Sequence, residues 1–153
     1  MKKIELMCIL LLMATFFSYG QETSLNGIWG RSQEGIRQEW RFNNGVFESF
    51  QDGVLQYQGN YTTNNNVLTM NFTHMFVGPN FQGGALGRFE SRLYSQNELA
   101  QAIISRNPRL DRSGVIEMVD RWFPTWLLSY SINGNSLSLT FMPNGETGVF
   151  IKQ

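Results

Sequence analysis

Twelve residues occur in this chain in two versions. Tyr61 to Phe72 reads YTTNNNVLTMNF and Tyr130 to Phe141 reads YSINGNSLSLTF. In register, the strings share Tyr, two Asn, Leu and Phe. Each begins with the end of one extended run, passes through an Asn-rich turn and continues into a second run with apolar residues at alternate positions. Side chains of a strand change sides at every residue, so that pattern describes a hairpin with one buried face. Asn and Gly are the residues that tolerate the positive φ a tight hairpin turn needs.

The same grammar extends over most of the chain. Strands are predicted at Ile28–Arg31, Gln38–Phe42, Val46–Gln51, Val54–Thr62 and Val67–Phe76. Three more are predicted at Thr125–Ile132, Ser136–Met142 and Thr147–Lys152. Turns fall at Asn43-Asn44-Gly45, Asp52-Gly53, Asn64-Asn65-Asn66, Asn133-Gly134-Asn135 and Pro143-Asn144-Gly145. Closely spaced antiparallel strands without an evident edge imply an all-β fold, an eight-stranded antiparallel up-and-down barrel. Its interior is either filled by side chains or holds one small ligand.

Between the two sets of strands lies an insert, Val77–Pro124. Its first part, Val77–Gly87, holds four Gly and one Pro and reads as a loop. Ser95 and Glu98 have capping-box spacing and open a helix to about Ser105, closed by Asn107-Pro108. Val115, Met118, Val119 and Trp122 follow helical spacing, although Val115–Phe123 can also be extended. The insert therefore carries one or two helices. Loops of this length are usually functional or disordered, and this one emerges at a barrel end, either covering the mouth or packing outside as extra core.

Residues 1–20 read separately as a signal peptide cleaved after Gly20. Lys2 and Lys3 precede the apolar run Leu6–Phe17, and Ser18 and Gly20 stand at −3 and −1. That run is too short to span a bilayer core of roughly 30 Å. The expected barrel domain is 21–153, secreted or periplasmic, with no membrane span in the mature chain. Removing Lys2, Lys3 and Glu5 from twelve basic and twelve acidic residues leaves ten and eleven, a formal charge of −1. The arginines from Arg88 to Arg121 are interleaved with Glu90, Glu98, Asp111, Glu117 and Asp120. No nucleic-acid partner is expected from that balance. Cys8, the single cysteine, lies within the leader, so the mature chain has no disulfide and no thiolate chemistry.

Alternation assigns an interior face. Trp40 and Phe42 face inward, as do Leu55, Tyr57, Gly59 and Tyr61. In the next strand Leu68, Met70, Phe72, His74 and Phe76 do so. Trp126, Leu128, Tyr130 and Ile132 follow, then Leu137, Leu139 and Phe141, and finally Val149 and Ile151. Buried tyrosine hydroxyls need partners, which are backbone groups, one another, water or a ligand. His74 is the single histidine, and a lone histidine on an apolar face most often serves as a hydrogen-bonded core residue. A zinc site would need carboxylates from separate strands, for which no spacing speaks. There is no Gly-x-Ser-x-Gly elbow and no phosphate-loop spacing. No catalytic residue, metal or cofactor is expected, and no enzymatic activity.

Gly27-Ile28-Trp29 matches the Gly-x-Trp with which lipocalins begin their first strand. With Phe42 to Gly45, Gly59-Asn60-Tyr61 and Asn66-Val67-Leu68-Thr69-Met70, the chain resembles the small secreted lipocalin-like proteins of bacteria over about residues 25–76 and 125–152. The resemblance implies a calycin-type barrel able to bind a small apolar or amphipathic molecule. It also implies that Trp29 packs at the closed end beneath a basic residue of the last strand, where Lys152 stands. The expected ligand lining is Tyr57, Tyr61, Met70, Phe72, His74, Trp126 and Tyr130. An alternative expectation is a filled barrel that contacts an envelope protein partner through the 77–124 insert.

Overall fold

Positive φ angles mark the turns. Glu34 and Gly35, Asn44 and Gly45, Asp52 and Gly53, and Asn65 and Asn66 all have φ between 47° and 86°. Two consecutive positive values make a type I′ turn, whose twist matches that of the flanking strands. These pairs join β1 (Gly27–Gln33), β2 (Ile36–Asn43), β3 (Val46–Gln51), β4 (Val54–Asn64) and β5 (Val67–Val77) into consecutive hairpins. Gly134, at φ 58°, turns β7 (Thr125–Asn133) into β8 (Ser136–Phe141), and β9 (Thr147–Lys152) follows. The computed structural model describes residues 24–78, 89–142 and 144–153. The leader assigned to residues 1–20 and most of the Gly-rich loop lie outside them.

All pairings are antiparallel. β5 pairs with β4 along one edge and with β7 along the other, and β9 returns to β1 through Trp29↔Lys152 and Gly30↔Ile151. The sheet is thereby a closed eight-stranded barrel. A ninth strand, β6 (Arg92–Ser95), belongs to the insert and pairs with His74–Val77 of β5, where β7 has already left that edge. The helices α1 (Gln96–Arg106) and α2 (Arg112–Asp120) lie between β6 and β7, hence between the fifth and sixth barrel strands. Val115–Phe123 is resolved as helix, shifted toward its N-terminus, because Asp111 caps Gly114 N–H at 2.8 Å and starts α2 early.

The closed end of the barrel is packed solid. Trp29, Phe42, Phe47, Leu68 and Leu137 are fully buried there. The Trp29 indole N–H donates to the Leu25 carbonyl at 2.8 Å, and the Lys152 ammonium lies 5.5 Å from the Trp29 ring centroid. A second core joins the insert to the barrel: Leu99, Ile103, Val115 and Val119 of the helices meet Met75 and Val77 of β5.

Two bulges correct the expected faces. On β5, Phe72 opposes Gly59 but His74 opposes Gln58, so Thr73 is an extra residue. A bulge reverses the phase of everything beyond it. Met75 and Val77 therefore take the buried face, while His74 and Phe76, expected inward, move to the other side. On β4, Ser49 opposes Tyr57 but Phe50 opposes Leu55, which turns Leu55 out and leaves Gln56 beside the interior. In β9 the expected Val149 and Ile151 are 50 % and 49 % exposed, and Phe150 is buried instead. Register decides this: Leu137 opposes Phe150 and Leu139 opposes Gly148.

The capping box forms as expected. Ser95 N–H donates to Glu98 Oε2 at 2.8 Å, and the Ser95 hydroxyl accepts from Glu98 N–H. The Ser95 backbone and hydroxyl, with Arg92 nearby, hold the Glu98 carboxyl below its ordinary value. Ser113 and the Gly114 N–H do the same for Asp111. Carboxyls lowered in the folded state stabilise it above their unfolded pKa, and that contribution is lost as pH falls through the lowered folded value. The insert is expected to loosen before the barrel on acidification, checked by hydrogen exchange of α1 and α2 amides between pH 7 and pH 3. Ser95→Ala should cost about 1 kcal/mol in urea unfolding.

Candidate functional site

The interior opens at the end opposite Trp29. The strands run so that Gln33, Gln38, Gln51 and Gln56 surround one mouth, while the closed end collects the Asn44-Gly45, Asn65-Asn66 and Gly134 turns. A cavity of about 510 Å³ occupies this open half. Its floor is aromatic and aliphatic: Trp40, Met70, Trp126, Leu128, Leu139 and Phe141. The rings brace one another, with centroids 6.1 Å apart for Trp40 and Trp126 and 4.9 Å apart for Trp126 and Phe141. The Trp126–Phe141 pair is edge-to-face, a geometry that holds the rings more firmly than area burial alone would.

The walls toward the mouth are polar. Arg31 projects inward from β1, its Nε donating to Gln38 Oε1 at 2.6 Å and its guanidinium carbon lying 4.8 Å from the Phe150 ring centroid. Gly148 makes the room: a Cβ there would lie 2.8 Å from Arg31 Nη1. Ser49, opposite both Trp40 and Tyr57, and Glu146 in the β8–β9 connection belong to the same lining.

A second cavity, of about 420 Å³, lies where the insert meets the barrel, among Tyr57, Phe72, Met75, Arg121, Trp122, Pro124 and Trp126. Tyr57 and Trp126 border both cavities and separate them. Among the described residues the insert lines this second cavity and not the mouth cavity.

Of the residues singled out in the sequence, Tyr57, Met70 and Trp126 come together at the mouth cavity, and Phe72 lies between the core and the second cavity. Tyr61 sits at the closed end, its hydroxyl donating to Asn26 Oδ1 at 2.7 Å and its ring edge-on to Phe42 at 5.1 Å. Tyr130 packs against the barrel core and borders neither cavity. His74 lies beyond the Thr73 bulge, its Nδ1 3.0 Å from the Thr73 hydroxyl, and borders neither cavity. Trp40 and Phe141, assigned inward, belong to the cavity lining as well, and Arg31, Gln38 and Ser49 were missed. Their signal was available, since Arg31 and Gln38 are polar residues in phase with the inward Trp29 and Trp40. Among the described residues no three His, Cys, Asp or Glu side chains cluster, and no helix is long and apolar enough to cross a membrane. Compared with protein-family models, with curated proteins and with solved structures, the chain matches none.

Proposed function

We propose that this chain is a secreted or periplasmic lipocalin-like module that binds a small apolar or amphipathic molecule in the open half of its barrel. The observation that carries the reading is the mouth cavity of about 510 Å³ with its aromatic floor and polar wall. Its size falls in the range of about 300–1,000 Å³ usual for small-molecule sites, and its division into an apolar body and a few polar groups is also usual. Trp29 beneath Lys152 at the closed end supports the lipocalin-like part of the proposal. Most apolar residues of the insert helices are spent on the second core, with Ile116 left exposed on α2, which favours a ligand in the barrel over a partner protein bound through those helices.

Titration with the neutral fluorophore N-phenyl-1-naphthylamine tests the reading. Trp40 and Trp126 line the cavity and should transfer excitation to a probe seated there. Saturable binding with a Kd of about 1–100 µM is expected. Ser49→Phe places a ring in the cavity and should weaken binding at least about tenfold, with the far-ultraviolet circular dichroism unchanged. Absence of saturable binding to the parent protein would count against the reading.

A further inference from the structure

Arg31 is the one Lys or Arg side chain lining the mouth cavity among the described residues. Such a group usually has a carboxylate partner when it is drawn inward. Here the ion pairs among the described residues are Arg37 and Arg41 with Glu39, and Arg92 with Glu90 and Glu98. Arg31 is in none of them. Glu146, the single acidic residue of the lining, is exposed in the β8–β9 connection and does not pair with it. The guanidinium is nevertheless held in place. Gln38 accepts from Nε, the Phe150 ring lies under it, and Gly148 leaves space for Nη1. Among the described residues neither Nη group has a hydrogen-bond acceptor.

We infer that Arg31 makes the cavity selective for amphiphiles that carry one carboxylate. This rests on the ligand-binding reading above and narrows its substrate class. The ligand's carboxylate accepts hydrogen bonds from the Arg31 Nη groups while its apolar body lies on the floor formed by Trp40, Trp126 and Phe141. Three features favour a carboxylate. The planar guanidinium fork matches carboxylate oxygens, and charge-assisted bonds of this kind are about twice as strong as neutral ones. The half-buried position lowers the local dielectric, so the attraction exceeds that of a surface pair. The neighbouring Gln38 carboxamide has its oxygen occupied by Arg31, which keeps the guanidinium oriented without neutralising it.

The test compares dodecanoate, below its micelle concentration, with dodecanol of the same chain length, each displacing N-phenyl-1-naphthylamine at pH 7.5. Dodecanoate should bind at least about tenfold tighter than dodecanol, and in Arg31→Gln the ratio of the two affinities should fall to about one. Arg31→Lys should keep part of the preference, since it retains charge without the fork. Equal affinities of the two chains for the parent protein would overturn the inference and leave ligand binding standing. Failure of the fluorophore itself to bind the parent protein would remove the ligand-binding reading and this inference with it. If Arg31→Gln loses fluorophore binding, the parent comparison and Arg31→Lys decide the matter: no anion preference in either sinks it.

Discussion

Gly59→Ala is expected to cost about 3 kcal/mol or more, a large part of the stability of a domain this size. The strand offers no room for even one methyl group. A Cβ at Gly59 would lie 2.1 Å from the Asn71 carbonyl oxygen and 2.6 and 2.7 Å from two atoms of the Phe47 ring. The ring is hemmed in by Phe72 and Trp40, whose centroids are 5.0 Å and 5.9 Å away. The carbonyl belongs to β5, which pairs with β4 on one side and β7 on the other, so moving it disturbs two ladders. Gly53→Ala supplies the contrast. Gly53 has φ 79°, and a methyl group placed on it would meet nothing within 4 Å, so its cost is conformational alone, roughly 1–2 kcal/mol. Urea unfolding of the two variants should separate crowding from backbone strain.

Trp29→Ala should be comparably damaging, at about 3–5 kcal/mol. Trp29 is 0 % exposed, so its truncation removes a fully buried ring from the closed end. Its loss also frees the segment that precedes β1, because the indole N–H holds the Leu25 carbonyl and Leu25 is buried in the same core. Trp29→Phe keeps most of the volume and deletes that hydrogen bond, so about 1 kcal/mol plus a packing defect is expected. The urea midpoint should fall far more for alanine than for phenylalanine. Equal losses would mean that the hydrogen bond, not the packing, anchors the closed end.

The strands and most of their turns were legible because alternation and Asn-Gly pairs are local signals. The barrel's closure followed from the absence of an evident edge strand. What local reading could not see is a phase change within a strand. Leu68, Met70 and Phe72 follow the even positions of β5, and counting on by twos reaches His74. Thr73 carries no mark of a bulge by its own residue type. The mark lay across the ladder in Gly59, since an isolated glycine in a strand often signals a bulge or a close approach. Phe150 was missed for a different reason. Val149, Phe150 and Ile151 are consecutive apolar residues, so alternation cannot choose a face, and pairing with Leu137 makes the choice.

The candidate site was legible only in part because the aromatics of the interior occur at both ends. Tyr61 and Tyr130 share faces with cavity residues but sit below the open half. Depth in a barrel depends on closure and strand stagger, which no single strand reveals. The polar interior positions were better indicators: Arg31 and Gln38 stand in register on neighbouring strands, where burial would otherwise favour apolar side chains.

The four tryptophans give a site-resolved test of where a ligand sits. Trp29 marks the closed end, Trp40 the mouth cavity, Trp122 the insert cavity, and Trp126 the wall between the two cavities. Their indole N–H resonances can be followed by ¹⁵N correlation spectroscopy as N-phenyl-1-naphthylamine is added. Binding in the open half of the barrel should shift Trp40 and Trp126 with saturation and leave Trp29 in place. A probe that moves Trp122 without Trp40, or that leaves all four unmoved at saturating concentration, would contradict the mouth cavity as the binding site.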